Sequence, residues 1–319
     1  MSALSNNTVQ RQPAQPSSIV ENRRRVLFAC CDENWPASAL LRAHVFAEQL
    51  RDELFVLQVQ SQPRATWRFR HTKAPLASLA KLEALEKSHA ALLKRCAGIL
   101  WPGLPNSRFR TTEGDFVETT VMVAAELGAE LIVLPPLPRN GGDAAAQVAH
   151  AARVPVLVAR PGRSQNTVVA ATNLRDSRYP VLRHARSVSS MLQADLILVH
   201  NVEPAMMIPT PEVATLWLDA MPRTDVAAQT QRLATVAESM PHCVGAVVKY
   251  EANTAQAILE ASRSCDADLI VVGVARRYSR WERLLRKSVA ARVADHAYRS
   301  VLLFPIGPPS SESVVMVGA

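Results

Sequence analysis

Aromatic residues are scarce in this chain of 319 residues, since Phe, Trp and Tyr together make up 5% of it. Few side chains are therefore available to stack on bases or sugars, which argues against a surface specialised for stacking. Hydrophobic residues reach 48% and charged residues 20%, a composition typical of globular domains. The core must be built from aliphatic residues and alanine, and at this length we expect two domains.

The cysteines are few and poorly spaced for disulfide or metal chemistry. There are five of them, an odd number, and no two form a Cys-x-x-Cys pair. We therefore expect no disulfide framework, no zinc site and no other metal site. Cys30 and Cys31 lie within an apolar run, where buried thiols behave as small hydrophobic side chains.

Long hydrophobic runs are missing as well. No run approaches the ~18 residues needed to cross a bilayer, and the polar N-terminal segment lacks the apolar centre of a signal peptide. The expected compartment is therefore the cytoplasm. Residues 1–22 are rich in Ser, Asn, Gln and Pro and predict a disordered arm, and residues 307–319 predict a flexible tail.

Signatures of catalysis are missing too. The sequence contains no GxSxG, HExxH or P-loop motif. The eight histidines are scattered, and we expect His44, His184 and His296, which fall in helical stretches, to lie at the polar surface. These absences predict a protein that is not an enzyme.

Positive charge is in surplus, with a net charge of +8 and an isoelectric point near 9.6. Part of it is concentrated in residues 276–287, called the basic run below, where spacings of three and four place most cations on one helical face. A solvated face is the usual explanation of such a run. The alternative is a dock for nucleotide, nucleic acid or an acidic partner, which residues 64–73 would extend. The cations of the basic run are Arg276, Arg277, Arg280, Arg283, Arg286 and Lys287.

An internal repeat organises the chain. A short apolar run ending at Asp32 opens the first block, and a similar run ending at Asn173 opens the second. The same 142 positions separate Val26 from Val168 and Glu53 from Asp195 in the first two runs of each block. The later runs also pair, 129–134 with 267–272 and 156–158 with 301–303.

Helical patterns fill the gaps between these runs. Phe116 to Leu127 and Thr254 to Cys265 predict matching helices. Each block therefore reads as alternating strands and helices, which predicts an α/β fold with two doubly wound, five-stranded parallel sheets in tandem. Two further apolar stripes predict helices, one at Leu79, Leu82, Leu85, Leu92 and Cys96, the other at Val226, Leu233, Val236 and Met240.

The predicted domains are residues 23–162 and 166–306, joined by a short linker. An unpaired strand at the edge of a sheet exposes backbone hydrogen-bonding groups. We therefore expect the closing strands, 154–158 and 300–304, to pair with each other inside one chain. This pairing would make the chain a pseudo-dimer of its own two halves, with further homodimerisation left open.

The end of the second block resembles the C-terminal signature of the universal stress protein family. The segment DLIVVG at 268–273, Ser288-Val289, Val293, Ala297 and the run VLLFP at 301–305 fit that signature. The first run of the chain, ending at Asp32, resembles the start of the same family. The resemblance covers both blocks and implies a tandem member of the family, with an adenine nucleotide alpha hydrolase-like fold.

In nucleotide-binding members of this family, an acidic residue after the first strand contacts the nucleoside, and a glycine loop with a Ser or Thr holds the phosphates. By this resemblance the first block keeps only a vestige, Asp32. Its loop, residues 135–143, is short, three prolines in it donate no N–H, and Asp143 repels phosphate. We expect this block to have lost nucleotide binding.

The second block keeps more of the pattern but changes it. Asn173 stands in place of the acid and Arg276 in place of the second loop glycine, and both can bind a ligand in other ways. The alternative is a loop that only packs a helix on the sheet. The candidate nucleotide or anion site consists of Asn173, Gly273, Arg276, Arg277, Lys287 and Ser288.

The resemblance and the missing motifs together predict a non-enzymatic, cytoplasmic stress-response or regulatory protein. It would act through protein partners that the sequence does not identify, with nucleotide binding weak or lost and no cofactor required. One alternative is an ATP sensor that uses the second block. Another is a nucleic-acid-associated protein that uses the basic run.

Overall fold

Ten strands form one continuous sheet in the described part of the chain. A computed structural model describes residues 24–31, 35–60, 75–100, 104–137, 141–162, 166–174, 179–203, 223–275 and 288–306. The predictions made for the N-terminal arm, the C-terminal tail, the basic run and residues 64–73 lie outside these ranges. So do the candidates Asp32, Arg276, Arg277 and Lys287.

The first half of the sheet is built from the first five strands of the chain. Its elements are β1 (Arg25–Cys31), α1 (Ala37–Leu50), β2 (Glu53–Gln60), α2 (Pro75–Ile99), β3 (Phe109–Glu113), α3 (Phe116–Leu127), β4 (Ala129–Leu134), α4 (Gly141–Ala152) and β5 (Val156–Val158).

The second half repeats this order of strands and helices. Its elements are β6 (Thr167–Thr172), α5 (Pro180–Leu192), β7 (Asp195–Val202), α6 (Arg223–Glu238), β8 (Cys243–Tyr250), α7 (Thr254–Ser264), β9 (Leu269–Ala275), α8 (Val289–His296) and β10 (Ser300–Ile306).

The strand order is β3-β2-β1-β4-β5-β10-β9-β6-β7-β8. Strands within each half run parallel, and only β5 and β10 run antiparallel, with Leu157 opposite Leu302. The predicted tandem of doubly wound, five-stranded parallel units is confirmed, as is the predicted pairing of the closing strands. Because that pair is antiparallel, the strands of the two halves run in opposite directions. The carboxyl ends of the first-half strands therefore lie on the same side of the molecule as the amino ends of the second-half strands.

Alternation along the strands divides the core into two layers, one on each face of the sheet. From β1, Phe28 faces the layer that contains α1, α2, α5 and α6, and Leu27 faces the layer that contains α3, α4, α7 and α8. Strands buried on both faces appear in the sequence as continuous apolar runs, which is why β1, β4 and β5 were identifiable. The edge strands β3 and β8 were not assigned to residues from the sequence: β3 is mostly polar, whereas β8 contains an apolar run at 244–248.

The helix predicted from Leu82, Leu92 and Cys96 is confirmed as α2, whereas the expectation for His184 was wrong. In α2, Leu92 is buried as expected, but Leu82 is 55% exposed, so the apolar stripe packs on the core only towards its C-terminal end. His184 does not lie at the polar surface, because its ring stacks on Phe304 of β10 at 4.4 Å between centroids. Burial lowers the pKa of His184 to about 4.

Within the ranges described, no helix has the length and hydrophobicity required to cross a membrane.

Candidate functional site

A cavity of about 1020 Å³ opens at the carboxyl ends of the strands of the second half. It lies above β6 and β9, the two strands from which the chain crosses over in opposite directions. Open parallel sheets bind their ligands at this position, because diverging connections leave a crevice there. The wall is formed by the ends of β6, β7 and β9, the starts of α5, α7 and α8, and one face of α6.

Three of the residues predicted from the sequence meet at this cavity. Asn173 follows β6, Gly273 lies in β9, and Ser288 precedes α8, and all three contribute to its wall. The structure therefore brings together every described member of the predicted second-half site. Whether they bind a ligand stays a prediction.

The strand register changes one correspondence that the sequence suggested. Cys30 pairs with Gln58 and Thr172 pairs with His200, so the two halves keep the same register at this point. Asn173 then corresponds to Cys31, and Leu174 corresponds to Asp32. Leu174 adopts a positive φ of 55° and buries its side chain, so the second half has an apolar anchor where the first has an acid.

Ser288 caps α8 at the wall of the cavity. Its Oγ accepts a hydrogen bond of 3.1 Å from the backbone N–H of Ala291, and the hydroxyl proton remains able to donate. Val289 and Ala290 also line the cavity. The N-terminus of a helix carries partial positive charge and unsatisfied N–H groups, so this wall suits an anion.

Gly273 has a packing role that the sequence did not indicate. A Cβ built on this residue would lie 2.3 Å from Cδ1 of Ile306 and 2.8 Å from Cγ2 of Val181. Apolar side chains therefore occupy the space that a side chain at position 273 would need. This close packing alone explains why residue 273 is a glycine, and no bound phosphate is needed to explain it.

Three further polar residues line the cavity and were missed from the sequence. His200, which is 7% exposed, has its Nδ1 2.8 Å from the carbonyl oxygen of Thr172. Since that carbonyl can only accept, Nδ1 is the donor, and in a neutral ring Nε2 is then an acceptor. The buried Oε1 of Gln229 has no hydrogen-bond partner among the described residues. A buried acceptor of this kind calls for a donor, such as a ligand or a water molecule.

Arg232 supplies a cation to the same wall. Its Nη2 lies 3.4 Å from the hydroxyl oxygen of Tyr179, and it forms no ion pair within the described part of the chain. Gln229 and Arg232 are three residues apart on α6, so they share a face of that helix. The spacing shows that they share a face but not that this face meets the cavity, whereas the position of His200 at the end of an apolar run was a signal in the sequence.

Hydrogen bonds fix the opposite wall, where β7 ends and α7 begins. The amide of Asn201 donates to the carbonyl oxygen of Glu251 and to Oγ1 of Thr254, each at 2.9 Å, and accepts from the N–H of Glu251 at 3.1 Å. Thr254 donates to the carboxylate of Glu203. This wall is therefore rigid and acidic, which favours a ligand whose anionic part points towards α8 and Arg232 instead.

In the first half, two large side chains pack together in the layer that contains α1 and α2. The buried ring of Trp35 packs edge-on against Phe28 at 5.3 Å between centroids. The guanidinium of Arg95 lies 4.3 Å from the centre of the indole and donates to the carbonyl oxygen of Trp35. Arg95 is the counterpart of Arg232. Phe109 of β3 and Ala246 of β8 occupy equivalent positions in the two halves and are 137 residues apart, and the same 137 residues separate Arg95 from Arg232.

Three of the described thiols have raised pKa values and stay protonated at neutral pH. Burial raises the pKa of Cys96 to about 12 and also raises the pKa of Cys243 and of Cys265. Since the thiolate is the nucleophile and the metal ligand, these groups are inert at neutral pH. Among the described residues, no cluster of His, Cys, Asp and Glu is arranged to hold a metal ion.

Comparisons with known proteins agree with the repeat. The model of the universal stress protein family matches residues 164–305. The solved structure of a functionally unknown protein from Pseudomonas aeruginosa is 16% identical, covers 89% of this chain and 93% of its own, and has a TM-score of 0.55. A universal stress protein from Archaeoglobus fulgidus is 14% identical, covers 88% of this chain and 96% of its own, and has a TM-score of 0.57. No curated protein matches the sequence.

Proposed function

We propose that this chain is a tandem member of the universal stress protein family, whose model matches its second half, residues 164–305, and that it binds one nucleotide-class ligand per chain. The ligand would occupy the cavity of the second half. The first half would serve as a structural partner. The protein would be a non-enzymatic regulator of the stress response, acting in the cytoplasm through protein partners.

The observation that carries this proposal is the difference between the two halves. The second half has a cavity of about 1020 Å³ at the crevice of its sheet. That volume is at the upper end of ligand pockets. In the first half, Trp35 and Arg95 pack together in the corresponding layer. We propose from this difference that one repeat has kept a ligand crevice that the other has lost.

The polar groups of the cavity favour a nucleotide over a purely apolar ligand. Nε2 of His200 and Oε1 of Gln229 are acceptors for the N–H and O–H donors of a base and a ribose. The N-terminus of α8 and Arg232 supply positive charge for a phosphate. Because Ile306 and Val181 crowd Gly273, the backbone there offers less to a long phosphate chain, so we expect weaker binding of ATP than of a monophosphate.

Thermal-shift titration with AMP, ADP, ATP and adenosine tests the proposal. We expect AMP to raise the Tm of the wild-type protein. Arg232→Ala should reduce this shift, because it removes the cation. Arg186→Ala, an exposed arginine of α5 that does not line the cavity, is the matched control and should leave the shift unchanged. A wild-type protein whose Tm responds to none of the four compounds would refute the proposal.

The domain limits and the alternative of nucleic-acid binding are proposals that rest on the sequence. We propose residues 23–162 and 166–306 as the two domains, in agreement with the position of each half in the sheet. The nucleic-acid alternative depends on the basic run at 276–287. Since that run lies outside the described residues, no described contact favours this alternative over ligand binding.

A further inference from the structure

The N-terminus of α4, in the first half, contacts a carboxylate of the second half. The backbone N–H of Gly142 donates a 2.6 Å hydrogen bond to Oδ1 of Asp295. Asp295 lies in the last turn of α8, 153 positions further along the chain. A carboxylate at this end of a helix is stabilised by the unsatisfied N–H groups and by the helix dipole.

Asp295 lies at the end of α4 that is equivalent to the cavity-facing end of α8. α4 connects the fourth and fifth strands of the first half, as α8 does in the second half. In the second half the N-terminus of this helix, at Ser288, faces the open cavity. In the first half the same end of the equivalent helix is occupied by Asp295. The pocket beside this contact, between α4, β5 and α8, measures about 10 Å³, the room of one water molecule at most.

A second contact joins a cation of the first half to a helix end of the second half. Arg160, which follows β5, donates from Nη2 to the carbonyl oxygens of Ala294 at 2.8 Å and Asp295 at 3.3 Å. These carbonyls belong to the C-terminal end of α8, where a cation is favourable. Burial lowers the pKa of Arg160 and the charge of Asp295 opposes that shift. Each half therefore supplies the charge that suits a helix end of the other half.

The start of α4 is packed so closely against α8 and Asp295 that no other anion fits beside Gly142. A Cβ on Gly142 would lie 2.1 Å from the carbonyl oxygen of Ala291 and 2.9 Å from Cγ of Asp295. The start of α4 is thus in direct backbone contact with α8. A phosphate bound at Gly142 would have to displace both the carboxylate and the helix that carries it.

We propose that Asp295 is a built-in anion that occupies the ligand-anchoring helix end of the first half, closing that half to ligands and fastening the two halves together. The contact replaces an exchangeable anion by a permanent one. It keeps the halves together whether or not the second half is occupied. The closing role rests on the proposed function, whereas the fastening of the two halves rests on the contacts of Asp295 and Arg160 alone.

Chemical rescue tests this role. Asp295→Ala removes the carboxylate and leaves room for a small anion at the N-terminus of α4. We expect its Tm to fall by about 1–3 °C, from the size of charge–helix interactions and the length of the chain. Sodium formate, titrated against sodium chloride at constant ionic strength, should restore much of that loss. A merely steric role for Asp295 would give no specific recovery with formate.

Two further variants serve as controls for the rescue by formate. Asp266→Ala removes the partly exposed partner of Arg299, 3.6 Å away, and its Tm should respond equally to formate and chloride. Asp295→Asn fills the space without charge and should lose stability without rescue, which keeps the test valid if Asp295→Ala folds poorly. Formate rescue equal in Asp295→Ala, Asp266→Ala and wild type, or an Asp295→Ala protein as stable as wild type, would overturn the proposal.

Discussion

Arg160 and Ser300 hold the two halves together through a reciprocal pair of hydrogen bonds. The backbone N–H of Arg160 donates to Oγ of Ser300 and that hydroxyl donates to the carbonyl oxygen of Arg160, each at 3.1 Å. Ser300 is fully buried and begins β10. The side chain therefore extends the short antiparallel pairing of β5 and β10 by two bonds.

Replacing this hydroxyl should weaken the whole protein. Ser300→Ala leaves a buried N–H and a buried C=O of Arg160 without their partner, at a cost of about 1–3 kcal/mol in the free energy of unfolding. Urea denaturation measures it. Ser264→Ala, which removes an exposed hydroxyl bonded within its own helix, should change the free energy by less than about 0.5 kcal/mol. Equal effects of the two substitutions would contradict the role of Ser300.

Glycine is required at one position and dispensable at another. Gly142→Ala should destabilise by about 2 kcal/mol or more, because its Cβ meets the backbone of Ala291 and overpacking displaces α8. Gly98→Ala, in α2, meets no atom within 4 Å and should stabilise by about 0.5–1 kcal/mol. Thermal unfolding of both variants gives the comparison, and a stable Gly142→Ala protein would mean that α4 and α8 do not approach so closely.

Trp35 should be among the most sensitive residues of the first half. Trp35→Ala removes a buried ring that contacts Phe28 and Arg95, with an expected loss of about 3–5 kcal/mol. A double-mutant cycle with Arg95→Ala should give a coupling of about 0.5–2 kcal/mol from the cation–π contact. A coupling near zero would show that Arg95 does not stack on the indole in solution.

His184 should make stability depend on pH. Its pKa is lowered from 6.5 to about 4 by burial, so between these values the unfolded chain binds a proton that the folded chain does not. Stability is then complete above pH 6.5 and falls as the pH drops towards 4, by about 2–3 kcal/mol. His184→Phe should flatten this part of the urea-denaturation profile, whereas His150→Gln, at an exposed position, should leave it as in wild type.

The fold was largely predictable, because buried parallel strands appear as apolar runs that repeat. The run at Ala129–Leu134 coincides with β4, and Phe116–Leu127 coincides with α3. The third strand of each half was expected but not assigned to residues. β3 is mostly polar and gives no continuous apolar run, whereas β8 has one at 244–248 that was missed. His184 was misplaced because helical spacing alone does not reveal which face meets β10.

The cavity was predictable in position but not in composition. The rule that ligands bind beyond the carboxyl ends of parallel strands located Asn173, Gly273 and Ser288. Gln229 and Arg232 lie on a helix whose rotation over the sheet is fixed by packing, so the sequence did not identify them. The contact between Gly142 and Asp295 joins residues 153 positions apart, and only the pairing of β5 with β10 brings them together.

Binding stoichiometry tests the central claim, that one repeat keeps a ligand site and the other has closed. Isothermal titration of the full chain with AMP should give one site per chain. Arg232→Glu should abolish that site by placing a carboxylate beside the phosphate, and Asp295→Asn should keep it. Two sites per chain, or an undiminished site in Arg232→Glu, would contradict the account.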